Sequence, residues 1–327
     1  MILVTGGAGF IGSNLVAALA ERESQPVYVC DQLDSEEKRL NLEKHSIAGV
    51  IAPDELFAWL DGPGAATETI FHMGAISSTT ERDPAVLLDN NVSLSTVLWR
   101  WCAAQDGRLI YASSAATYGG GDGGFDDDPS PSALAALEPL NAYGQSKQLF
   151  DLDAALMARM GCRPRQWAGL KFFNVYGPNE YHKGGQRSVA VQLFEQISDG
   201  GRARLFRSHH PDYEDGGQLR DFIWVGDCVD VMLWLYDTPK VSGLFNCGTG
   251  RARSFADLAD ACFAAMNCAR AIDFVDTPES LRAHYQYFTQ ARMERLRAAG
   301  YDRPFTSLED GVARYVQGYL QTNDPYR

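Results

Sequence analysis

"VTGGAGFIGSNL", Val4 to Leu15, follows a short apolar run and opens a segment of helical periodicity. Its glycines, Gly6, Gly9 and Gly12, are spaced G-x-x-G-x-x-G. Glycine lets a chain turn tightly and brings its backbone close to a pyrophosphate. The helix that follows aims its free amides and positive dipole end at that anion. A glycine triplet alone is weak, because tight turns are common. Between a strand and a helix it reads as a dinucleotide-binding turn.

Outward from that turn, apolar runs alternate with amphipathic segments. "ILVT", "VYVCD", "TIFHMGA", "RLIYASS" and "QWAGLKFFNVYG" read as strands. "FIGSNLVAALAER", "PAVLLDNNVSLSTVLWRWCAAQ" and "NAYGQSKQLFDLDAALMARM" read as helices. The alternation predicts a Rossmann-type, doubly wound α/β fold with a parallel sheet covered on both faces. The pattern changes after about Asn174, where loops rich in Gly, Pro and charge begin. Residues 1–173 are therefore expected to form an NAD(P)-binding domain, and 174–327 mainly a smaller, interleaved substrate-binding domain. Segments near 219–249 ("DFIWVGDCVDVMLWLYD" and "GLFNCGTG") are expected to rejoin the first domain as strand and helix. "FDDDPSP" reads as a solvated acidic loop.

The 327 residues are 45% hydrophobic and 22% charged, the balance of a soluble globular protein with a sizeable core. A net charge of −13 argues against nucleic acid and anionic membrane as partners. It leaves a local site for a phosphate-bearing small ligand open. Seven scattered cysteines without framework spacing read as reduced thiols of a cytosolic protein. Six histidines form no ligand-spaced cluster, so no metal is expected. The N-terminus carries no signal-peptide pattern, and no run is long enough to span a bilayer.

Asp31 ends the second strand, where an acid bonds a ribose hydroxyl, which favours NAD. Lys38 follows in the same loop and suits a 2′-phosphate, so the residues leave NAD and NADP both open. Ser113 and Ser114 end a strand, at the edge that faces the ligand crevice. Tyr143 and Lys147, four apart, share one helix face. A neighbouring ammonium and a positive nicotinamide ring both favour phenolate, so the Tyr143 pKa is expected to fall. Such a tyrosine removes a hydroxyl proton while hydride leaves the same carbon, and Ser114 bonds the substrate oxygen. Lys183, in "GPNEYHKGGQRS", sits in a loop beside two glycines. Spacing alone leaves it either a diphosphate contact or a second acid/base.

"TGGAGFIG", "SSAATYGG" and "YGQSK" resemble the extended short-chain dehydrogenase/reductases, many of which act on nucleotide sugars. "HMGAISSTTERD", "LDNNVSLS", "FFNVYGPNEYHKG", "LRDFIWVGDCVDV", "FNCGTGRARSF" and "YQYFTQARMERLRAAGYDRPF" follow in order over nearly the whole chain. Together they resemble, more narrowly, the family of ADP-heptose 6-epimerases. "SSTTE", "HKG" and the last stretch are the specific part of that resemblance. It implies a cytoplasmic, NADP-dependent enzyme of lipopolysaccharide core biosynthesis, acting on ADP-D-glycero-D-manno-heptose as a homo-oligomer, a pentamer. Tyr143 and Lys183 would be its two acid/bases, with Ser114 and Lys147 in support. Phe10, Ile11, Asp31, Gln32, Lys38, Met73, Gly74, Ala75, Ile76, Ser77, Asn90, Lys147, Val175 and Lys183 would contact the cofactor. Asn174, Gly184, Phe206, Arg207, Arg220 and Tyr285 would line the sugar-nucleotide site, with Ser114. Two departures stand out: Met73 where the family often has Glu, and a longer stretch at "RSHHPDYEDGGQL".

The chemistry implied explains the need for two groups. Inversion by oxidation and re-reduction requires the carbonyl to turn over above a fixed nicotinamide. An exocyclic carbon turns by bond rotation, which carries its oxygen away from the first acid/base and toward a second. Two other enzyme readings compete. Superfamily dehydratases carry an Asp-Glu pair after the active-site Ser/Thr, and "AATYG" has no acid there. A 4-epimerase flips the whole sugar and needs no second base. A redox-sensing binding protein of the same fold tends to lose the Tyr or the Lys, and both are present.

Overall fold

The computed structural model describes residues 1–22, 25–78, 81, 83–282 and 285–327. Thr79, Thr80 and Arg82 of the "SSTTERD" motif lie outside the described residues. Seven short apolar runs become one parallel sheet. In chain order its strands are β1 (Ile2–Thr5), β2 (Val27–Cys30), β3 (Gly49–Ile51), β4 (Thr69–His72), β5 (Arg108–Ser114), β6 (Gln166–Phe172) and the strand Gly243–Cys247. Their spatial order is 3-2-1-4-5-6 with Gly243–Cys247 outermost beside β6, and every pairing is parallel. The order reverses between β1 and β4, which opens a crevice at their C-terminal ends.

The strands are mostly apolar because both faces are covered. Residues 2–5 and 69–72 are all buried. Helix α1 (Phe10–Glu21) covers one face with Leu15, Val16 and Leu19 and packs against the helix Val225–Asp237. On the other face the helices Leu94–Ala104 and Ala142–Arg159 bring Leu98, Trp99, Phe150 and Ala154 against Leu109 and Tyr111. Truncating the fully buried Leu15 to Ala should cost roughly 2–5 kcal/mol.

The second layer of structure departs from a simple reading of the periodicity. "QWAGLKFFNVYG" is not one strand. β6 ends at Phe172, and Asn174–Tyr176 pairs instead with Phe222–Trp224 in a separate two-stranded sheet. The amide of Asn174 bonds Asp221, so the chain changes partner at that residue. Of the "DFIWVGDCVDVMLWLYD" segment, the strand therefore stays outside the central sheet and only the helix returns to it. A second core forms around Val191, Leu193, Leu205, Leu258, Phe263 and Val312.

"FDDDPSP" also differs from the solvated loop expected of it. Asp126 and Asp128 are accessible, but Asp127 is 1% exposed. Its carboxylate accepts from the Asn246 amide at 2.7 Å and faces Arg295 at 3.6 Å. Burial pushes its pKa up to about 6. The acidic run thus ties the outermost strand to the rest of the fold. All seven cysteines are unpaired. Among the described residues, no helix is long and apolar enough to cross a membrane.

Candidate active site

A cavity of about 640 Å³ opens at the crevice where the strand order reverses. Its floor is the glycine turn. Gly6 holds φ +65°, and a Cβ there would stand 2.5 Å from the Gly74 amide nitrogen. A Cβ on Gly12 would stand 2.1 Å from the Gly6 carbonyl oxygen. Only glycine permits the first turn and this close helix approach. No side chain caps the N-terminus of α1 at Gly9, so its first amides suit an anionic group.

The neighbouring loop is locked to that turn. The Thr5 hydroxyl bonds His72 Nδ1 at 2.6 Å and accepts from the Gly74 amide at 3.2 Å. His72 Nε2 bonds Ser95 at 2.8 Å. Burial pushes the His72 pKa down to about 3, so the ring is neutral. Asn91, absent from the sequence reading, is the main brace of the next stretch. Its amide group exchanges hydrogen bonds with Ile76 (2.9 and 3.0 Å) and donates to Ser146 at 3.0 Å. Asn90, which the sequence had favoured, is exposed and bonds its own helix at Val86, though it still borders the cavity. Both sit in a π-helical stretch, Leu88–Ser93, a distortion often found at functional sites. No simple sequence pattern marks which of two adjacent asparagines turns inward.

Gly6, Gly9, Phe10, Ile11, Gly12, Asp31, Gln32, Lys38, Met73, Gly74, Ala75, Ile76, Ser77, Asn90, Lys147, Val175 and Lys183 all line this cavity. Asp31 accepts from the Ala8 amide at 2.9 Å, so it holds the glycine turn as well as facing the cavity. Lys38 pairs with Asp31 at 3.3 Å and with Asp34 at 3.1 Å. Pro53, Leu56, His182 and Gln186 also border the cavity; of these only His182, in "HKG", falls in a motif singled out above as specific. The glycine cradle, uncapped helix end and paired Asp31–Lys38 together fit a nicotinamide dinucleotide.

Ser114, Tyr143, Lys147 and Lys183 meet at the same cavity. Asn141 caps the helix that carries two of them, accepting from the Gly144 amide at 2.8 Å. Ser114 ends β5 and caps the turn Ala115–Tyr118. Lys147 is 4% exposed and donates to the Ala112 carbonyl at 2.9 Å. Burial lowers its pKa to about 8, against the opposing field of Asp151. The expected fall in the Tyr143 pKa is not found in the protein alone. Burial raises it, and the hydrogen bond with Ser114 only partly offsets this. The Lys147 ammonium is committed to Ala112, and burial dominates. Lys183 stands 5.4 Å over the Phe10 ring, and burial lowers its pKa against the pull of Glu180.

Apart from Ser114, the residues read as a sugar-nucleotide site lie outside this cavity. Phe206, Arg220 and Tyr285 form one cluster. Arg220 stands 5.6 Å over Tyr285, whose ring is 6.3 Å from Phe206. Arg207 does not join them: it is half exposed and faces Asp276 at 3.4 Å and Asp215 at 3.9 Å. Asn174 is exposed, and its side-chain oxygen accepts from Thr289 at 3.4 Å. Gly184 holds φ +55° with open space around it. The longer loop adds His210 and Tyr213, which stack with Tyr287 and through it with Tyr285. A larger groove, about 1060 Å³, lies between α1 and the C-terminal helices and contains none of the predicted site residues.

This fold and this cavity define a dinucleotide-binding α/β protein with a Ser/Tyr/Lys constellation at its crevice. The model of the NAD dependent epimerase/dehydratase family matches residues 2–248, and the chain belongs to that family. It is 49% identical to the ADP-L-glycero-D-manno-heptose-6-epimerase of Nitratidesulfovibrio vulgaris (strain DP4), over 100% of both chains. It is 45% identical to the protein of the same name in Fusobacterium nucleatum subsp. nucleatum, again over 100% of both. The crystal structure of the Helicobacter pylori ADP-L-glycero-D-manno-heptose-6-epimerase superposes with a TM-score of 0.75 at 27% identity, covering 97% of this chain and 95% of that one.

Proposed function

We propose that this chain inverts carbon 6 of ADP-D-glycero-D-manno-heptose to give ADP-L-glycero-D-manno-heptose, in the cytoplasm, for lipopolysaccharide core biosynthesis. Full-length identity to enzymes of that name supports the substrate. The observation that carries the mechanism is the convergence of Tyr143 and Lys183 on one cavity. A bound nicotinamide would accept hydride from carbon 6 and return it to the opposite face of the carbonyl.

The protein's own groups handle the proton. Tyr143 takes it from the carbon-6 hydroxyl, with Ser114 bonded to the same oxygen. Rotation about the bond between carbons 5 and 6 turns the resulting carbonyl. Lys183 then donates a proton to the oxygen in its new position, and the reverse reaction exchanges the two roles. The sugar gains and loses one hydride and one proton, so the net change is stereochemical. Burial lowers the Lys183 pKa below the ordinary lysine value, which eases proton exchange. Tyr143 needs a positive charge beside it to act as a base, which an oxidised nicotinamide supplies.

The cofactor is NADP, with Lys38 on the 2′-phosphate. Lys38 already offsets Asp31, which would otherwise repel that group. Arg220, Tyr285 and Phe206 hold the nucleotide portion of the substrate, and Asn174, Gly184 and Arg207 border it. The enzyme works as a homo-oligomer, a pentamer, which sedimentation velocity would test. Incubation with ADP-D-glycero-D-manno-heptose and separation of the carbon-6 epimers tests the function. An equilibrium mixture is expected, with no conversion of UDP-galactose to UDP-glucose. Efficient 4-epimerisation and an unchanged heptose would overturn the reading.

A further inference from the structure

Directly behind the cavity lies an ion pair that the proposed chemistry does not use. Asp151 and Lys171 have side chains with 0% exposure, and their charged atoms are 2.8 Å apart. Burying two charges is costly, and a matched apolar pair often serves stability as well or better. Fold stability is therefore a poor explanation for this pair, and its connections suggest another.

Both partners reach residues of the site. Asp151 accepts from the Ser113 hydroxyl at 2.7 Å and from the Tyr111 hydroxyl at 3.1 Å. Lys171 donates to the Thr117 hydroxyl at 2.6 Å, and Thr117 donates in turn to the Ser114 carbonyl at 2.9 Å. The ammonium also lies 4.9 Å over the Tyr118 ring, in the turn that Ser114 caps. Asp151 shares its helix with Tyr143 and Lys147 at intervals of four, so all three lie along one face.

We propose that the buried Asp151–Lys171 pair positions the site in two ways. Through Thr117 it fixes the turn that presents Ser114. Through its carboxylate it places a negative charge one helical turn from Lys147. Both are positioning roles, and they rest on the reading of the cavity given above.

The experiment replaces the pair with Asp151→Asn/Lys171→Met in the full chain. Two profiles are recorded against pH: the epimerisation rate, and the NADP+ dissociation constant from quenching of protein fluorescence. In the unaltered enzyme, the alkaline limb should follow Lys147, near pH 8. Without the carboxylate, that limb should move to lower pH in both profiles. A second pair isolates the Ser114 contact. Thr117→Val should lower kcat about tenfold without moving the limb or KM, and Thr117→Ser should restore it. A folded double variant with unchanged kcat and limb would reduce the pair to core filling. If that variant does not fold, the Thr117 substitutions decide, and equal kcat for Val and Ser overturns the proposal. Absence of epimerisation in the unaltered enzyme would instead sink the functional reading.

Discussion

The cofactor half of the site and the half proposed to hold the substrate's nucleotide are built from different material. The first rests on the ends of β1, β2, β4 and β5, where sheet hydrogen bonds hold the backbone and side chains brace it from behind. Thr5, His72, Ser95 and Asn91 form a continuous buried support there. The second rests on short two-stranded pieces and loops after Asn174, where Phe206, Arg220 and Tyr285 meet through ring contacts. A site fixed by backbone should fail abruptly when the backbone is disturbed. A site made from side-chain contacts should weaken in steps.

Gly12→Ala tests the first half most severely. Its methyl group would stand 2.1 Å from a backbone oxygen. Dinucleotide affinity should fall on the order of 100-fold or more, because the pyrophosphate cradle must open. Isothermal titration measures it, and near-normal affinity would break the distinction between the two halves. Arg220→Ala tests the second half. It should raise the substrate KM about 10- to 100-fold and leave cofactor affinity unchanged. Loss of cofactor binding instead would mean the halves are not separable.

Legibility followed the same division. The glycine turn, Asp31 and the Tyr143–Lys147 spacing were readable because backbone sterics and helical periodicity dictate them locally. Every cofactor residue expected from motif and resemblance borders the cavity. Asn91 was not readable: a π-helical distortion, invisible in periodicity, decides which asparagine turns inward. Likewise, "QWAGLKFFNVYG" gives no sign of its break, because Asp221, far along the chain, captures the Asn174 amide. Asp127 looked solvated because its partners, Asn246 and Arg295, are more than a hundred residues away. Arg207, expected at the substrate site, also faces Asp276 and the longer loop's Asp215, partners that its place in the sequence does not announce.

Two smaller effects sharpen the comparison. Lys38→Ala should weaken NADP about tenfold and NAD much less, since only NADP carries the 2′-phosphate. Equal losses, read from parallel titrations, would remove Lys38 from that role. The neutral, buried His72 predicts an acid weakness in the cofactor half. Its folded pKa of about 3 lies below the ordinary 6.5, so the unfolded chain takes up its proton first. Its stabilising contribution is therefore complete above about pH 6.5 and declines as pH falls toward 3. Between pH 7 and 5, urea unfolding should show a loss of about 2 kcal/mol that His72→Gln lacks. Identical pH slopes would show that the ring protonates without cost.

The account depends on two proton-exchanging groups serving one carbonyl from different sides. Tyr143→Phe and Lys183→Met, each loaded with NADPH, should be tested on a carbon-6 aldehyde analogue alongside epimerisation of ADP-D-glycero-D-manno-heptose. Either single variant should lose epimerisation by a factor of about 1,000 or more while still reducing the analogue, because one acid is enough to donate a proton. The double variant should do neither. If Lys183→Met instead epimerises at a near-normal rate at saturating substrate, with only KM raised, Lys183 is a diphosphate contact and the two-group account is wrong.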